Sequence, residues 1–573
     1  MTRIEVYDTT LRDGMQGEGM ALTAHEKLRL AHKLDELGVE LIEAGFPSSN
    51  PKELELFELL SAERFQNAQV AAFGMTRRRD VTAAEDPALQ VLARCFAPVC
   101  TIVGKTWSLH LEKVVRVGRE ENLRMISESV GFLVSQGKRV IYDAEHFFDA
   151  YADDPHYALA CLAAAAAAGA ETVTCCDTNG GTLPHTIESA IAAVSAAMAD
   201  SAVKVGIHCH DDAGCGVANT LAAVRAGATH IQGTQNGYGE RCGNANLTTL
   251  IPNLQIKLGY QCVTDSQLHQ LTAGSHFFDE LLNITPNPNQ PYVGRNAFAH
   301  KGGMHVAGVN ADPATFEHVD PEVVGNGREL LVSELSGRGT ILARAAQAGI
   351  AIGDAAAGRL IERVKEREHE GYQYEAADGS FELLMRKESG QYKQLFTLES
   401  WRVIAEQRAD GQVQTEATIK LLGPPEQGSH RYVYTAEGNG PVSALDKALR
   451  GALAGVYPDL EKIKLVNFKV RIMDGAKATD AITRVLLDSS DGAREWGAVG
   501  VSTNVIEASW TALVDSLEYG MQAAVCNNAD SQVSAGQAVG GSQPAAAGAG
   551  QAAGAAVRAV AGEAHAGRGR VER

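Results

Sequence analysis

The first part of the chain repeats one hydrophobic pattern: a short apolar stretch, a polar or glycine-containing turn, and an amphipathic helix. Strands are predicted at Ile4–Tyr7, Val39–Ala44, Gln69–Phe73, Ala97–Val103, Arg139–Tyr142, Thr172–Cys175, Lys204–His208 and His230–Gly233. Helices are predicted between them, among others at Ala24–Leu37, Ile126–Gln136, Tyr157–Ala168, Thr186–Ala199 and Gly216–Ala226. Eight such units over about 250 residues are typical of an α/β fold, the (β/α)8 or TIM barrel.

A doubly wound open sheet is the alternative arrangement of the same pattern. Such a sheet normally has a glycine-rich phosphate-binding turn after its first strand. The turn at residues 11–16 is LRDGMQ instead. The favoured prediction is therefore a barrel over residues 1–275.

The pattern changes after residue 275. A loop rich in Pro and Asn, ITPNPNQPYVG, leads into FAHKGGMHVAGV and helical segments, which predict a helical linker subdomain over residues 276–390. A small α+β domain is predicted over residues 391–526, with strands at Gln412–Leu421, Arg431–Thr435, Leu465–Met473, Thr483–Asp488 and Trp496–Ser502 and helices at Ser443–Leu453 and Val505–Tyr519. Residues 527–573 are rich in Ala, Gly, Ser and Gln, bury too little apolar surface to fold, and are predicted to be disordered.

Composition and charge narrow the classes of function. The 573 residues carry a formal net charge of -19, which argues against a nucleic-acid or anionic-membrane partner, because such partners require a basic surface. We find no apolar run long enough to span a membrane and no signal-peptide core at the N-terminus, so a cytoplasmic location is expected. The ten cysteines lack the regular spacing of a disulfide framework.

The strongest chemical signal is VGIHCHDD at residues 205–212. Side chains alternate along a strand, so His208 and His210 point to the same face and can chelate a divalent metal ion. Asp211 and Asp212 are candidates to orient the two imidazoles. Two histidines with structural partners are the alternative, but barrel active sites lie at the carboxyl ends of strands, where this pair is predicted.

Two further segments carry residues suited to the same site. In DTTLRDG, after the first strand, Asp13 offers a carboxylate ligand and Arg12 a guanidinium that can hold a carboxylate or an oxyanion. In GYGERCGNAN, after the eighth strand, Asn244 offers an amide oxygen. Each segment alone also fits a structural role, as an Arg–Asp pair at a strand end or a tight glycine loop. Because strands one and eight are neighbours in a closed barrel, the three segments are expected to converge.

Three motifs resemble those of the 2-isopropylmalate, homocitrate and citramalate synthases, a branch of the barrel metallolyases. They are LRDGMQ followed by Lys27, HCHDDAGCGVA and GYGERCGN. The likeness extends from the first strand to about Met521 and leaves only the tail outside it. The stretches VTAAEDPAL, TIVGKTWSLH and IYDAEHFFDAY are more similar to the citramalate branch than to the isopropylmalate branch.

The resemblance implies a divalent-metal enzyme, using Mg, Mn or Zn, that condenses acetyl-CoA with a 2-oxo acid. Its implied metal ligands are Asp13, His208 and His210, with Asn244 nearby. The implied catalytic residues are Arg12, Glu145 and His305, and the implied substrate-binding residues are Arg12, Tyr142 and Thr178. His146 follows Glu145 where many relatives carry an acidic residue, which weakens the match there.

The same resemblance suggests pyruvate as the 2-oxo acid, with bulky Phe73 and Met75 shortening the pocket. The C-terminal domain is similar to the family's regulatory domain, which implies a homodimer and isoleucine as effector, with the turns MDGAKATDA and WGAVGVSTNVIEASW shaping the effector site. Alternatives are a 2-isopropylmalate synthase acting on 2-oxoisovalerate, a lyase or aldolase of the superfamily, and a C-terminal domain that only dimerises.

Overall fold

The structure is a computed structural model of the 573-residue chain. It describes residues 2–47, 49–330, 332, 337–424, 428–473 and 480–537. The chain divides into two compact units, Met1–Gly349 and Ile350–Arg573.

The first unit contains a closed barrel of eight parallel strands in sequential order, β1 to β8. The strands are Glu5–Asp8, Leu41–Gly45, Gln69–Met75, Val99–Lys105, Arg139–Glu145, Thr172–Asp177, Lys204–Cys209 and His230–Gly233. Strand β8 pairs with β1, and Asp8 lies opposite Gly233. The barrel prediction is confirmed, and the open-sheet alternative is excluded because the sheet closes on itself.

Helices surround the barrel and continue after it. They are α1 (Ala24–Glu36), α2 (Pro51–Ala62), α3 (Pro87–Arg94), α4 (Ser108–His110), α5 (Arg119–Ser135), α6 (Phe147–Asp153), α7 (Pro155–Ala167), α8 (Pro184–Ala197), α9 (Gly216–Arg225), α10 (Leu247–Pro252), α11 (Asp265–Leu268), α12 (Leu271–Leu281), α13 (Gly303–Ala311) and α14 (Arg338–Gln347). Two short strands, β9 (Ala299–His300) and β10 (Glu329–Leu330), pair in parallel. Helix α13 lies between them in the sequence. Caps fix helix starts: Thr23 and Glu26 form a capping box at α1.

The barrel strands divide their side chains between two cores. Tyr7, Leu41 and Ile141 belong to a small cluster inside the barrel, where the Tyr7 hydroxyl reaches Thr101 of β4 at 2.7 Å. Alternate residues such as Tyr142 point outward into the main core between strands and helices. This alternation decides which side chains can face the barrel mouth.

The second unit contains two antiparallel three-stranded sheets, β11-β12-β13 and β14-β15-β16. Their strands are Thr397–Gln407, Val413–Leu422, Arg431–Gly438, Lys464–Ile472, Thr483–Ser490 and Glu495–Ser502. The helices are α15 (Asp354–His369), α16 (Asp378–Ser389), α17 (Pro441–Leu453) and α18 (Val505–Gln537). The apolar faces of α17 and α18 pack with buried strand residues such as Ile419 and Leu487 in one core.

Three details differ from the sequence predictions. The strand Thr397–Gln407 was not predicted, although Trp401 and Val403 alternate with polar residues and pack on the core. The strand predicted at Trp496–Ser502 is confirmed as β16, so the WGAVGV part of the predicted effector-site turn is a strand, and a Cβ at Gly500 would clash with the Ala508 carbonyl oxygen. Helix α18 continues to Gln537, past the predicted start of the disordered tail at residue 527, because Ala, Gln and Ser tolerate a helix.

Residues 538–573 of the predicted tail and residues 474–479 of the predicted MDGAKATDA turn lie outside the described residues. Among the helices that the structure does describe, we find none with the length and apolar character that crossing a bilayer requires.

Candidate active site and metal centre

Three chain segments meet at the carboxyl end of the barrel. Asp13 follows β1, and His208 and His210 come from the end of β7 and the residue just beyond it. One ligand atom from each of these three buried residues lies within 4.8 Å of the others. An isolated bridge pairs His210 with Asn244 of the loop after β8. The convergence expected from barrel closure is therefore present.

The two imidazoles face one carboxylate oxygen. Nε2 of His208 lies 3.3 Å and Nε2 of His210 lies 3.8 Å from Oδ2 of Asp13. Burial alone would raise the pKa of Asp13, but Arg12 and the two histidines outweigh it and hold that pKa well below its usual range. Burial and His208 lower the pKa of His210 to about 4. A deprotonated carboxylate and a neutral imidazole are the forms that bind metal ions.

A hydrogen-bond chain inside the barrel fixes the tautomer of His208. The Nδ1 atom of His208 lies 3.0 Å from Oε1 of Gln232, and Nε2 of Gln232 donates to Asp143 at 2.9 Å. Since the Gln232 amide nitrogen is used as a donor, its oxygen accepts the Nδ1 proton of His208. Nε2 of His208 then faces Asp13, and that carboxylate raises the pKa of His208 although burial opposes the shift. In metal-binding histidines the ring nitrogen that does not face the metal is typically held by a hydrogen bond. Here Gln232, which itself bonds the Asp143 carboxylate, holds Nδ1 of His208 in this way.

Asp211 and Asp212 do not have the orienting role predicted for them. Oδ1 of Asp211 accepts from the backbone nitrogen of Gly216 at 2.6 Å, and Asp212 pairs with Arg241 at 2.8 and 3.0 Å. Both carboxylates are therefore bonded within the loops that follow β7 and β8. Gln232, an inward-facing polar residue of β8, takes that position instead.

Two buried atoms beside this group have no hydrogen-bond partner among the described residues. They are Nδ1 of His210 and Oδ1 of Asn244, whose amide nitrogen donates to the Tyr238 carbonyl at 3.1 Å. Unsatisfied buried polar atoms are costly in a folded protein. Two imidazoles, a carboxylate and a free amide oxygen form a donor set that fits a divalent cation.

Arg12 is held from three sides at the edge of this group. Its Nε donates to Glu43 at 2.7 Å, its Nη1 lies 3.5 Å from Asp13, and its guanidinium carbon lies 4.0 Å above the Phe73 ring. Burial would lower the pKa of Arg12, but Asp13 and Glu43 outweigh it and raise that pKa above its ordinary value. Glu43 was not singled out from the sequence, although a glutamate inside the apolar strand LIEAG is unusual.

A cavity of about 360 Å³ opens above these residues. Its floor includes Asp13 and both histidines, and its walls include Arg12, Phe73, Met75, Val103, Lys105, Glu145 and Thr178. A second cavity, of about 550 Å³, shares Phe73, Met75 and Val103 with the first and is mostly apolar. The candidate metal centre therefore lies at the bottom of a space large enough for a small acid.

Glu145 and Thr178 line the opposite wall of the first cavity. The Glu145 carboxylate forms an ion pair with Lys105, and its side chain is 22% exposed. The Thr178 hydroxyl accepts from the backbone nitrogen of His146 at 2.9 Å, which leaves its own proton available to a ligand. Both predicted residues therefore reach the cavity.

Two predicted residues lie elsewhere. Tyr142 is fully buried on the outer face of β5, against the helices, and does not line the cavity, so its contact with substrate stays a prediction; the inward neighbours are Ile141 and Asp143. His305 of α13 is exposed, stacks on Phe316 at 4.3 Å and is absent from the cavity wall. The structure of a single chain does not bring His305 to the site, because the segment after the barrel carries it along the surface.

Three family models match consecutive parts of the chain. The HMGL-like model matches residues 3–277, the homocitrate synthase post-HMGL domain-like model matches residues 292–371, and the LeuA allosteric (dimerisation) domain matches residues 375–521. Among solved structures, the HMG-CoA lyase of Bacillus subtilis covers 50% of this chain and 97% of its own, with 17% identity and a TM-score of 0.43.

Curated relatives match nearly the full length. An (R)-citramalate synthase from Streptomyces coelicolor is 49% identical over 90% of this chain and 96% of its own. One from Synechocystis is 46% identical over 92% and 97%. A 2-isopropylmalate synthase from Pyrococcus furiosus is 30% identical over 90% and 98%. With this similarity, and with the three site segments in place, the chain belongs to the family of the (R)-citramalate and 2-isopropylmalate synthases.

Proposed function

We propose that the chain condenses acetyl-CoA with pyruvate and hydrolyses the resulting thioester to give (R)-citramalate and free CoA. The reaction removes a proton from the acetyl methyl group and forms a bond from that carbon to the keto carbon of pyruvate. The π bond of the keto group breaks, its oxygen takes a proton to become a hydroxyl, and water then cleaves the thioester. The observation that carries this proposal is the group of Asp13, His208 and His210 at the floor of a cavity with Arg12 and Glu145 on its walls. The similarity to (R)-citramalate synthases supports it.

Asp13, His208 and His210 are the residues proposed to hold the cation, with the free amide oxygen of Asn244 beside them. When bound, a divalent ion such as Mg²⁺, Mn²⁺ or Zn²⁺ polarises the keto group of a 2-oxo acid as a Lewis acid. Gln232 keeps His208 in the tautomer that presents Nε2.

Arg12 is proposed to neutralise the oxygen charge that forms during condensation. Glu43 and Phe73 hold the guanidinium in place before substrate arrives, so no reorganisation is needed during the reaction. Thr178 is proposed to donate its hydroxyl proton to the substrate carboxylate. Both groups therefore bind and orient the 2-oxo acid.

Glu145 is proposed as the base that removes the acetyl methyl proton. Its carboxylate is partly exposed at the cavity wall and lies at the end of β5. The methyl protons of a thioester are weakly acidic, so a positioned base is required. The predicted catalytic role of His305 stays a prediction.

Phe73, Met75 and Val103 are proposed to select pyruvate. They line both cavities, so they stand between the site and a larger apolar space. A pyruvate methyl group needs none of that space, whereas the longer side chain of 2-oxoisovalerate requires it. A 2-isopropylmalate synthase is therefore the second candidate function, since modest movement of these side chains would open the second cavity.

The C-terminal unit is proposed to regulate the enzyme as a homodimer with isoleucine as effector. The match to the LeuA allosteric (dimerisation) domain over residues 375–521 supports this role. Calorimetric titration of the full chain with isoleucine, leucine and valine tests the effector, and isoleucine should bind most tightly. If the chain binds none of the three amino acids, the effector proposal is wrong and dimerisation alone is the role of the domain.

One assay tests the reaction. CoA release is measured from acetyl-CoA with pyruvate, 2-oxobutyrate, 2-oxoisovalerate or 2-oxoglutarate, with and without a chelator. We expect the highest kcat/KM with pyruvate and loss of activity on chelation. A preference for 2-oxoisovalerate would assign the second candidate function, and CoA release that survives metal removal would overturn the proposed metal centre.

A further inference from the structure

Two histidines that the proposed reaction does not use lie beside Glu145. Nδ1 of His110, on the short helix α4, lies 3.9 Å from Oε2 of Glu145. The His110 ring meets the edge of the His146 ring with centroids 4.4 Å apart, and Trp107 covers both rings at 5.6 and 5.7 Å. This packed group is built from two successive βα loops at the barrel mouth.

The backbone at His146 is held in an uncommon conformation to form this group. Its φ of 54° and ψ of 38° lie in the left-handed region, which non-glycine residues avoid. The hydroxyl of Thr178 accepts its backbone N–H, and Nδ1 of His146 lies 3.0 Å from Asp149. Asn179 donates to the same carboxylate oxygen of Asp149 at 3.0 Å. Strain that is fixed by several contacts is frequent at functional sites.

His110 lacks such a partner. Its Nδ1 is buried and has no hydrogen-bond acceptor or donor among the described residues, while the side chain as a whole keeps 20% of its surface exposed. A small rotation of either side chain would bring Nδ1 within hydrogen-bond distance of Glu145. The Nδ1 edge of the His110 ring therefore lies toward Glu145, and the rest of the side chain is partly exposed to solvent.

We propose that His110 is a positioning residue that takes over the proton which Glu145 removes from the acetyl methyl group. The proton leaves Oε2 of the protonated Glu145 and binds Nδ1 of His110, so the carboxylate is restored and an imidazolium forms; the imidazolium then releases a proton to water. The inference rests on the proposed function, because it assigns Glu145 the role of base.

The charges around His110 are compatible with this role. They come from Lys105 of β4, from Glu145 at the end of β5, and from His146 and Asp149 at α6. Burial lowers the pKa of His110, and His146 lowers it further, while Glu145 opposes the shift. The ring is therefore neutral near neutral pH and able to accept a proton.

The first experiment measures coupling without using activity. The full chain is labelled with ¹³C at histidine Cε1, and the His110 signal is assigned by its loss in His110→Gln. In Glu145→Gln the His110 signal should titrate at lower pH than in the parent chain, because the charge that stabilises the imidazolium is gone. Identical titration curves in the two proteins would overturn the proposal.

The second experiment measures turnover. His110→Ala should lower kcat roughly 10- to 100-fold with little change in KM for pyruvate, a loss comparable to removing a group that supports a catalytic residue. Added imidazole should restore part of the rate. His110→Gln should stay slow, because an amide can hold Glu145 but cannot accept its proton; full activity in that variant contradicts a proton-accepting role.

His156→Ala is the matched control, since His156 is exposed on α7 outside the cavity and its loss should leave kcat unchanged. Thermal melts of each variant separate loss of folding from loss of turnover. If the parent chain releases no CoA with any 2-oxo acid, the proposed function fails, whereas the titration experiment still decides whether His110 and Glu145 are coupled.

Discussion

The barrel unit and the C-terminal unit each bury ionisable side chains, but the two clusters differ in how their polar atoms are satisfied. In the C-terminal unit, the Ser380 hydroxyl donates to Asp515 at 2.7 Å, and the Tyr392 hydroxyl bonds Glu518 at 2.8 and 2.9 Å. In the barrel unit, His210 Nδ1 and Asn244 Oδ1 have no hydrogen-bond partner within the part of the chain that the structure describes, and they belong to two residues paired beside the metal-ligand group.

This difference distinguishes ionisable groups that are buried as part of the fold from ionisable groups that are buried to bind a ligand. A buried group whose partners lie within the fold is explained by folding alone. Unsatisfied buried atoms beside a group of metal-ligand side chains point to a ligand that the protein itself does not provide.

The largest effect is expected from Asp13→Ala. Removing the carboxylate that both imidazoles face should abolish metal binding and lower kcat/KM by at least ~10⁴-fold, because Lewis-acid stabilisation is worth several kcal/mol and 1.36 kcal/mol corresponds to tenfold. Metal content by elemental analysis and CoA release check both parts. Asp515→Asn in the C-terminal unit is the comparison variant, and it should retain bound metal. A metal content equal to the parent's in Asp13→Ala would remove the basis for the site.

Glu145→Gln should lower kcat by about 10³-fold, within the range for loss of a general base. The amide is nearly isosteric, so metal content and the circular dichroism spectrum should match those of the parent chain. Exchange of the acetyl methyl protons with deuterated water, followed by NMR, gives a direct readout of the proposed step. Exchange at the parent rate in the variant would assign the base elsewhere.

Gln232→Leu should weaken metal binding roughly 10- to 100-fold, because the variant keeps the volume but cannot fix the tautomer of His208. Calorimetric titration with Mn²⁺ and Zn²⁺ measures the change. Asp211→Asn is the contrasting variant, since Asp211 bonds the Gly216 backbone and should leave metal affinity near that of the parent. Equal losses in both variants would contradict the assigned roles.

Much of this site could be predicted from sequence because chain order and barrel closure fix it. Eight apolar strands of the right spacing specify a closed barrel, and closure brings the segments after strands one, seven and eight together whatever the details of packing. Asp13, His208, His210 and Asn244 therefore converge as expected. The small C-terminal domain was also predicted, apart from its first strand.

The remaining features of the site depend on three-dimensional details that the residue pattern does not specify. One residue of register decides whether a strand side chain faces the barrel or the helices, and Tyr142 lies on the helical side. The orienting role of Gln232 depends on a contact across the barrel from β8 to Asp143. The position of His305 depends on the path of a surface segment rather than on a periodic pattern.

Met75→Ala should change substrate preference by about tenfold. Truncation joins the site cavity to the apolar one, so kcat/KM for 2-oxoisovalerate should rise relative to that for pyruvate by an amount typical of one or two methylene-sized contacts. Parallel assays with the four 2-oxo acids measure the ratio. Leu54→Ala, at an exposed residue of α2, is the control. An unchanged ratio would show that Met75 does not limit the pocket.

The smallest effect concerns the C-terminal cluster itself, where burial raises the pKa of Glu518 to about 7 although Tyr392 and Lys387 oppose the shift. A carboxyl whose folded pKa is raised from 4.5 favours the folded state below pH 4.5, and this contribution is lost as pH rises through 7. The loss amounts to about 3 kcal/mol, since one pKa unit corresponds to about 1.36 kcal/mol.

Glu518→Gln removes the charge and keeps an acceptor for the Tyr392 hydroxyl. The variant should therefore be more stable than the parent at pH 8 and nearly equal to it at pH 4.5, as measured by urea unfolding at both values. Glu461→Gln, at an exposed residue of the same unit, should follow the parent curve at each pH. A parent-like pH dependence in Glu518→Gln would mean that this buried carboxyl is ionised in the folded chain, and the contrast between a satisfied cluster and an unsatisfied one would then need another explanation.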